Sequence, residues 1–226
     1  MRQRNVIALS LLFSTQVYAA GLDSLSNSEV AGGLKEALSN GSIAAVAKLG
    51  QTDGFLKNQK VKIPLPSPLN KVEGAMRTFG MGKQADELIV AMNRAAEAAV
   101  PEAKTLLLDS VKHMTLQDAK GILTGGDDAA TQYFKRTTKD PLSVKFLPIV
   151  KQATDKVGLA QTYNNYAGQA AQFGVGDKKK ANIENYVTDK ALDGLYTMIG
   201  DEERAIRQDP LGQGGKLISK VFGALK

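Results

Sequence analysis

A chain of 226 residues with 29 Lys and Arg against 23 Asp and Glu, one histidine and no cysteine can form neither a disulfide nor a thiolate metal site. Its stability must come from a packed core. Setting Arg2 and Arg4 aside lowers the formal charge from +6 to +4, a mild surplus that suits an anionic envelope surface; with no aromatic-rich strand platform it argues against nucleic acid as a partner.

The chain opens on Met-Arg-Gln-Arg-Asn, then the apolar run Val6 to Phe13, then the polar-to-small stretch Ser14 to Ala20. These are the basic, hydrophobic and cleavage regions of a signal peptide, and the apolar run is far shorter than the ~20 residues of a bilayer-spanning helix. A cut after Ala19 puts Val17 and Ala19 at the two small-residue positions, whereas a cut after Ala20 would put Tyr18 there. The expected product is a periplasmic protein of residues 20–226, one helical domain with no transmembrane segment. No cysteine follows the apolar run to accept a lipid.

Ser26-Asn-Ser-Glu29 has the form of a capping box, and Val30, Leu34 and Leu38 recur at helical spacing up to Asn40-Gly41, where the pattern predicts a stop. A second short helix carries Ile43, Val46 and Leu49 to Gly50. Lys60 to Pro68 alternates Lys with Val and Ile and then places three prolines in five residues, which forbids a helix before Pro68 and predicts an extended strap laid across helices. Helical stripes follow: Leu69 to Phe79, Leu88 to Ala99, and Leu106 to Met114. Thr115-Leu-Gln-Asp118 reads as another capping box, stopped at Gly125-Gly126. Asp127 or Asp128 can cap a helix with Tyr133 and Phe134 inward. Asp140-Pro141 reads as cap and first turn of a further helix, which Pro148 would kink. Leu159 to Phe173, then Ile183 to Ile199 after the basic knot Lys178 to Lys180, complete the long helices. Asp201-Glu-Glu203 reads as the start of a short helix ending at Asp209-Pro210. A terminal amphipathic segment carries Leu217, Ile218, Val221, Phe222 and Leu225. The reading is all-α, an irregular bundle of about nine or ten helices with one Pro-rich strap.

Few of these features carry chemistry. Gly212-Gln-Gly-Gly-Lys216 and Gly174-Val-Gly176 lack the spacing of phosphate loops and read as turns. The lone His113, at a predicted helix end, cannot build a zinc site, and Asp127-Asp128 does not continue as a calcium loop, so neither a metal nor a cofactor is expected. Two polar clusters stand out as candidate binding residues. Asn93, Arg94 and Glu97 fall three and four residues apart on an alanine-rich helix, and Glu203 and Arg207 share a face four apart. Exposed, such pairs contribute only ~0.2–0.5 kcal/mol. Buried together, they would form a ligand or carboxylate site. The terminal segment, with lysines opposite its apolar stripe, fits either core packing or a membrane surface.

Val61-Lys-Ile-Pro-Leu-Pro66, Met92-Asn-Arg-Ala-Ala-Glu97, Asp118-Ala-Lys-Gly-Ile-Leu123, Ala129-Ala-Thr-Gln-Tyr-Phe134 and Glu202-Glu-Arg-Ala-Ile-Arg-Gln-Asp-Pro210, in this order after a signal peptide, resemble the bacterial family called domain of unknown function 4197. The resemblance implies an exported, mostly helical protein and brings no catalytic residue, cofactor or partner. Three functions remain open: a non-enzymatic binding or scaffolding component of the cell envelope; a hydrolase or lyase using carboxylates such as Glu97 or Glu203; and peripheral membrane association through the terminal helix.

Overall fold

A computed structural model describes residues 26–172, 182–209 and, near the C-terminus, Gly215, Leu217, Ile218 and Val221. The expected signal peptide with its Ala19–Ala20 junction, Gly174 to Gly176, Lys178 to Lys180, Pro210 and Gly212 to Gly214 lie outside the described residues.

The described chain is all helical: α1 (Asn27–Leu49), α2 (Ser67–Thr78), α3 (Gly82–Ala99), a short 3₁₀ turn (Val100–Glu102), α4 (Ala103–Lys112), α5 (Leu116–Thr124), α6 (Ala129–Thr154), α7 (Gly158–Gln172) and α8 (Ile183–Gln208). Both capping boxes form. The Ser26 hydroxyl accepts from the Glu29 N–H while the Glu29 carboxylate answers the Ser26 N–H, and Thr115 and Asp118 repeat the exchange at α5. Each satisfies two N–H groups that a helix start leaves without intrahelical partners. Pro68 sits in the first turn of α2, where its missing N–H costs nothing.

Eight α-helices have both ends among the described residues, and Leu217, Ile218 and Val221 are helical as well, against about nine or ten helices expected; three anticipated breaks are absent. Helix α1 runs straight through Asn40-Gly41. A Cβ on Gly41 would lie 3.3 Å from Glu202 Cβ, so the glycine is where α8 crosses closely rather than where α1 stops. Helix α6 runs through Asp140-Pro141 and Pro148. Its buried residues Thr138, Leu142, Phe146, Val150 and Thr154 recur every four positions, while both prolines are exposed. The carbonyls of Thr137 and Val144, deprived of their helical donors by those prolines, therefore face the solvent side, where burial of the opposite face outweighs two lost hydrogen bonds. Helix α8 continues past Gly200-Asp201 to Gln208. Asp201, Glu202 and Glu203 are thus mid-helix residues and not an acidic helix start.

Helices α6 and α8 form the largest helix contact, with α3 laid on α6 and α1 on α8. One core cluster unites them, centred on Phe55, Phe134, Phe146, Leu34, Leu88, Met92 and Leu192. Ile218 and Val221 are also fully buried, with Val221 Cγ2 only 2.7 Å from the point a Gly33 Cβ would occupy. Of the described apolar positions of the terminal segment, Ile218 and Val221 are thus spent on the core, Val221 against α1, while Leu217 is exposed. Residues 62–66 carry neither helix nor strand, and Val61, Ile63 and Leu65 point into the core. No helix of the described residues is long and apolar enough to cross a membrane.

Two glycines inside helices give opposite expectations. Gly194 of α8 leaves room for the Phe55 ring, whose Cε1 lies 2.6 Å from an added Cβ, so Gly194→Ala should lower stability by about 1–3 kcal/mol through overpacking. Gly121 of α5 has no atom within 4 Å of an added Cβ, so Gly121→Ala should raise stability by about 0.5–1 kcal/mol. Urea unfolding followed by circular dichroism reads both.

Candidate functional site

The first polar cluster fastens the chain between α1 and α2 onto α3. Asn93, fully buried, pairs with a single residue in both directions: its Oδ1 accepts the Ile63 N–H at 2.8 Å and its Nδ2 donates to the Ile63 carbonyl at 2.9 Å. The same Nδ2 also donates to the Ile89 carbonyl one turn back. The amide thus gives Ile63 the two bonds that a neighbouring strand would have supplied. One turn along, Glu97 Oε1 accepts the N–H groups of Phe55 and Leu56 at 3.0 and 3.1 Å. Its Oε2 takes Arg94 Nη1 at 2.6 Å, and Arg94 Nη2 continues to Asp53 Oδ1 at 2.6 Å.

Asp53 holds a left-handed backbone, φ +69°, which costs a non-glycine residue of order 1 kcal/mol or more and persists only where surroundings enforce it. Arg94 and Lys57 grip its carboxylate, and their hydrogen bonds, that of Lys57 first, hold its pKa below the usual carboxylate range. Phe55, fully buried, is the apolar reason for the turn.

The second cluster joins α5, α6 and α8. Glu203 Oε1 accepts the Ala130 N–H at 3.0 Å, and Oε2 accepts the Thr131 N–H and hydroxyl, both at 2.9 Å. Asp128, which was expected to cap α6, makes no side-chain cap bond; its carboxylate takes the Gln132 amide instead. Glu203 performs the capping from another helix, and its negative charge lies at the positive end of the α6 dipole. Arg207 donates Nη2 to Glu203 Oε1 at 2.9 Å and to the Ile122 carbonyl at 2.9 Å, adding a cation near the C-terminal end of α5. Beside this pair lies a cavity of about 10 Å³, room for a single water.

The two candidate clusters therefore act on different segments, residues 53–63 and 122–131. Every carboxylate oxygen of Glu97 and Glu203 is engaged, chiefly by main-chain N–H. A general base needs a lone pair directed at a substrate, and these lone pairs point into the fold. Glu184, the third buried glutamate, accepts from Asn164 Nδ2 at 2.8 Å while Asn164 Oδ1 takes the Ile183 N–H, again tying a helix start to a neighbour. His113 is exposed at the end of α4, its Nδ1 2.8 Å from the Asp109 carbonyl. Among the described residues no three His, Cys, Asp or Glu side chains converge as metal donors.

A feature the sequence reading missed is a cavity of about 650 Å³ between α5 and α6, lined by Thr115, Gln117, Asp118, Gly121, Gln132, Tyr133 and Arg136 among others. Arg136 donates to Asp118 at 2.9 Å and lies over the Tyr133 ring, 5.5 Å from its centroid. Tyr133 is held by its hydroxyl, which donates to the Ser110 carbonyl. The Thr115 hydroxyl above all lowers the Asp118 pKa, with Arg136 adding to the effect. The wall thus offers a guanidinium, a carboxylate and two amides on a rigid frame. Only the Thr115–Asp118 capping box was legible beforehand, since the groove arises from pairing α5 with α6.

Removing a buried polar side chain from either cluster should cost stability and leave the partner groups stranded. Glu203→Ala is expected to lower unfolding free energy by about 3 kcal/mol, because Arg207 and the α6 N–H groups lose their acceptor; Asn93→Ala should cost about 2 kcal/mol. Urea unfolding checks both, and a loss under 0.5 kcal/mol would contradict the tethering roles. For Asp53 the folded pKa is depressed, so its stabilisation is complete above the unfolded value near ~4 and disappears as pH falls through the lower folded value. Asp53→Asn should accordingly flatten the acid limb of a urea-midpoint-against-pH curve.

No curated protein and no solved structure matches the chain. A family model described as protein of unknown function (DUF4197) matches residues 24–223, nearly the whole length, and the chain belongs to that family.

Proposed function

We propose that this is an exported, non-enzymatic binding protein of the cell envelope, one helical domain of residues 20–226 released by cleavage after Ala19, with the α5–α6 groove as its binding surface. The observation that carries the reading is the contrast between the two kinds of polar site. The buried carboxylates of Glu97 and Glu203 are consumed by main-chain N–H groups and by Arg94 and Arg207, and the cavity at Glu203 admits one water. The groove, by contrast, is open and large enough for a ligand or a short segment of a partner. Its paired Asp118 and Arg136 suit a ligand bearing both an anionic group and hydrogen-bond donors, which would share or exchange the existing ion pair. Residues 60–66 serve this frame as a strap across α3 and α8, supported by the Ile63–Asn93 pair and by the Tyr186 hydroxyl donating to the Pro64 carbonyl at 3.0 Å.

The burial of Ile218 and Val221 counsels against the terminal segment as a membrane contact, and the engagement of both glutamates counsels against carboxylate catalysis at the two clusters.

Native mass spectrometry of the protein purified from the periplasm is the direct test. The expected result is a polypeptide beginning at Ala20 that carries an added mass, or a co-purifying chain crosslinked from position 117, and Gly121→Leu should abolish it by filling the groove without touching the core. An intact N-terminus would refute the export reading. A bound species that Gly121→Leu leaves in place would refute the groove.

A further inference from the structure

We infer that the solvent face of α6 is a docking surface for an anionic phospholipid membrane. Helix α6 holds Lys135, Arg136, Lys139, Lys145 and Lys151 against the single acid Asp140, a surplus of four. That equals the whole +4 expected of the chain after Ala19, so the remaining residues of that product are balanced. Asp118 answers Arg136 and Asp155 answers Lys151, while Lys135 lies over the Tyr196 ring. Lys139 and Lys145 are exposed and make no ion pair among the described residues.

The second observation is apolar. Pro141, Val144, Leu147 and Pro148 are all exposed, Val144 at 75%. At 100° per residue, Val144 lies diametrically opposite Leu142 and Phe146, the buried residues two positions either side of it, and Pro148 stands one turn further along the same side. Pro141 and Leu147 lie about 60° to either side of Val144, so the four make one apolar band on the helix face turned away from the core, with Asp140 at its N-terminal edge one turn before Val144. Scattered apolar residues are ordinary on a protein surface, but four contiguous ones flanked by lysines are the composition of a helix that lies in the headgroup layer. The Thr137 and Val144 carbonyls, freed of helical donors by the two prolines, fit that depth as well, since the headgroup region is wet and hydrocarbon is not. A lipid surface takes both features at once: headgroup phosphates meet Lys139 and Lys145 while the ridge enters the acyl boundary. This surface is independent of the groove and of its ligand.

The test is co-sedimentation of the exported protein with vesicles of phosphatidylglycerol and phosphatidylcholine, compared with pure phosphatidylcholine, across a salt series. Binding is expected to anionic vesicles only and to weaken with salt. Lys139→Gln with Lys145→Gln should reduce it roughly thirtyfold at low salt, taking the usual contribution of a lysine at an anionic surface. Val144→Gln with Leu147→Gln should reduce it at least tenfold. These positions are exposed, and an unchanged urea midpoint verifies that each variant is folded. Phe79→Gln, at the 81%-exposed phenylalanine beyond α2, should bind as the parent does. The proposal is overturned by absence of binding, by equal binding to neutral vesicles, by α6 variants that bind like the parent, or by loss confined to Phe79→Gln. Capture of a protein by the ridge without vesicle binding would overturn it too.

Discussion

The start of α6 is a helix end buried beneath α8, and its N–H groups need acceptors that water cannot reach. Glu203 supplies them through both oxygens, to Ala130 and Thr131. The two acids before it on α8 reach elsewhere: Glu202 to Lys48 at the end of α1, and Asp201 to Lys60 in the segment before α2. Three consecutive carboxylates thereby fan out to three separate segments. The contacts of α6 and of α1 against α8 meet near that triplet. Of the three bonds, the buried one carries the larger stake, because a stranded acceptor or donor in the interior costs several times what an exposed pair contributes.

The same device recurs at Glu97, Asn93 and Asn164. In each case a side chain projecting from one helix satisfies main-chain groups of a segment distant in sequence. This explains how a chain without disulfides, and without strands among its described residues, keeps an irregular stretch such as residues 50–66 ordered against its core. Phe55, Val61, Ile63 and Leu65 provide the apolar attraction, and Asn93 and Glu97 remove the polar penalty of burying the backbone beside them. The candidate residues are thus important to the fold, which accounts for their conspicuous spacing without invoking catalysis.

Local patterns were legible. The capping boxes at Ser26 and Thr115, the helix stop at Gly125 and the start of α2 at Pro68 rest on interactions within one turn, which spacing alone reveals. So does the face shared by Glu203 and Arg207. What that face meets was not legible, because Ala130 lies 73 residues away and nothing local encodes the crossing. The misread breaks have the same origin. Gly41 and Pro141 oppose a helix by intrinsic preference, and tertiary packing overrode both, Gly41 by admitting α8 and Pro141 by facing water. The groove belongs to this class as well, since Gln132 and Arg136 face Thr115 and Asp118 only once α5 and α6 are antiparallel neighbours in space.

Capping in trans has a temporal consequence. Helix α6 is capped by a carboxylate more than seventy residues beyond its first turn, and α1 receives Val221 from far along the chain. A polypeptide emerging from a ribosome or a pore with its N-terminus first would present α1 and α6 long before their closing partners arrived. The buried main-chain groups at the start of α6 are satisfied only once α8 is present, so the last third of the chain completes helices made long before it.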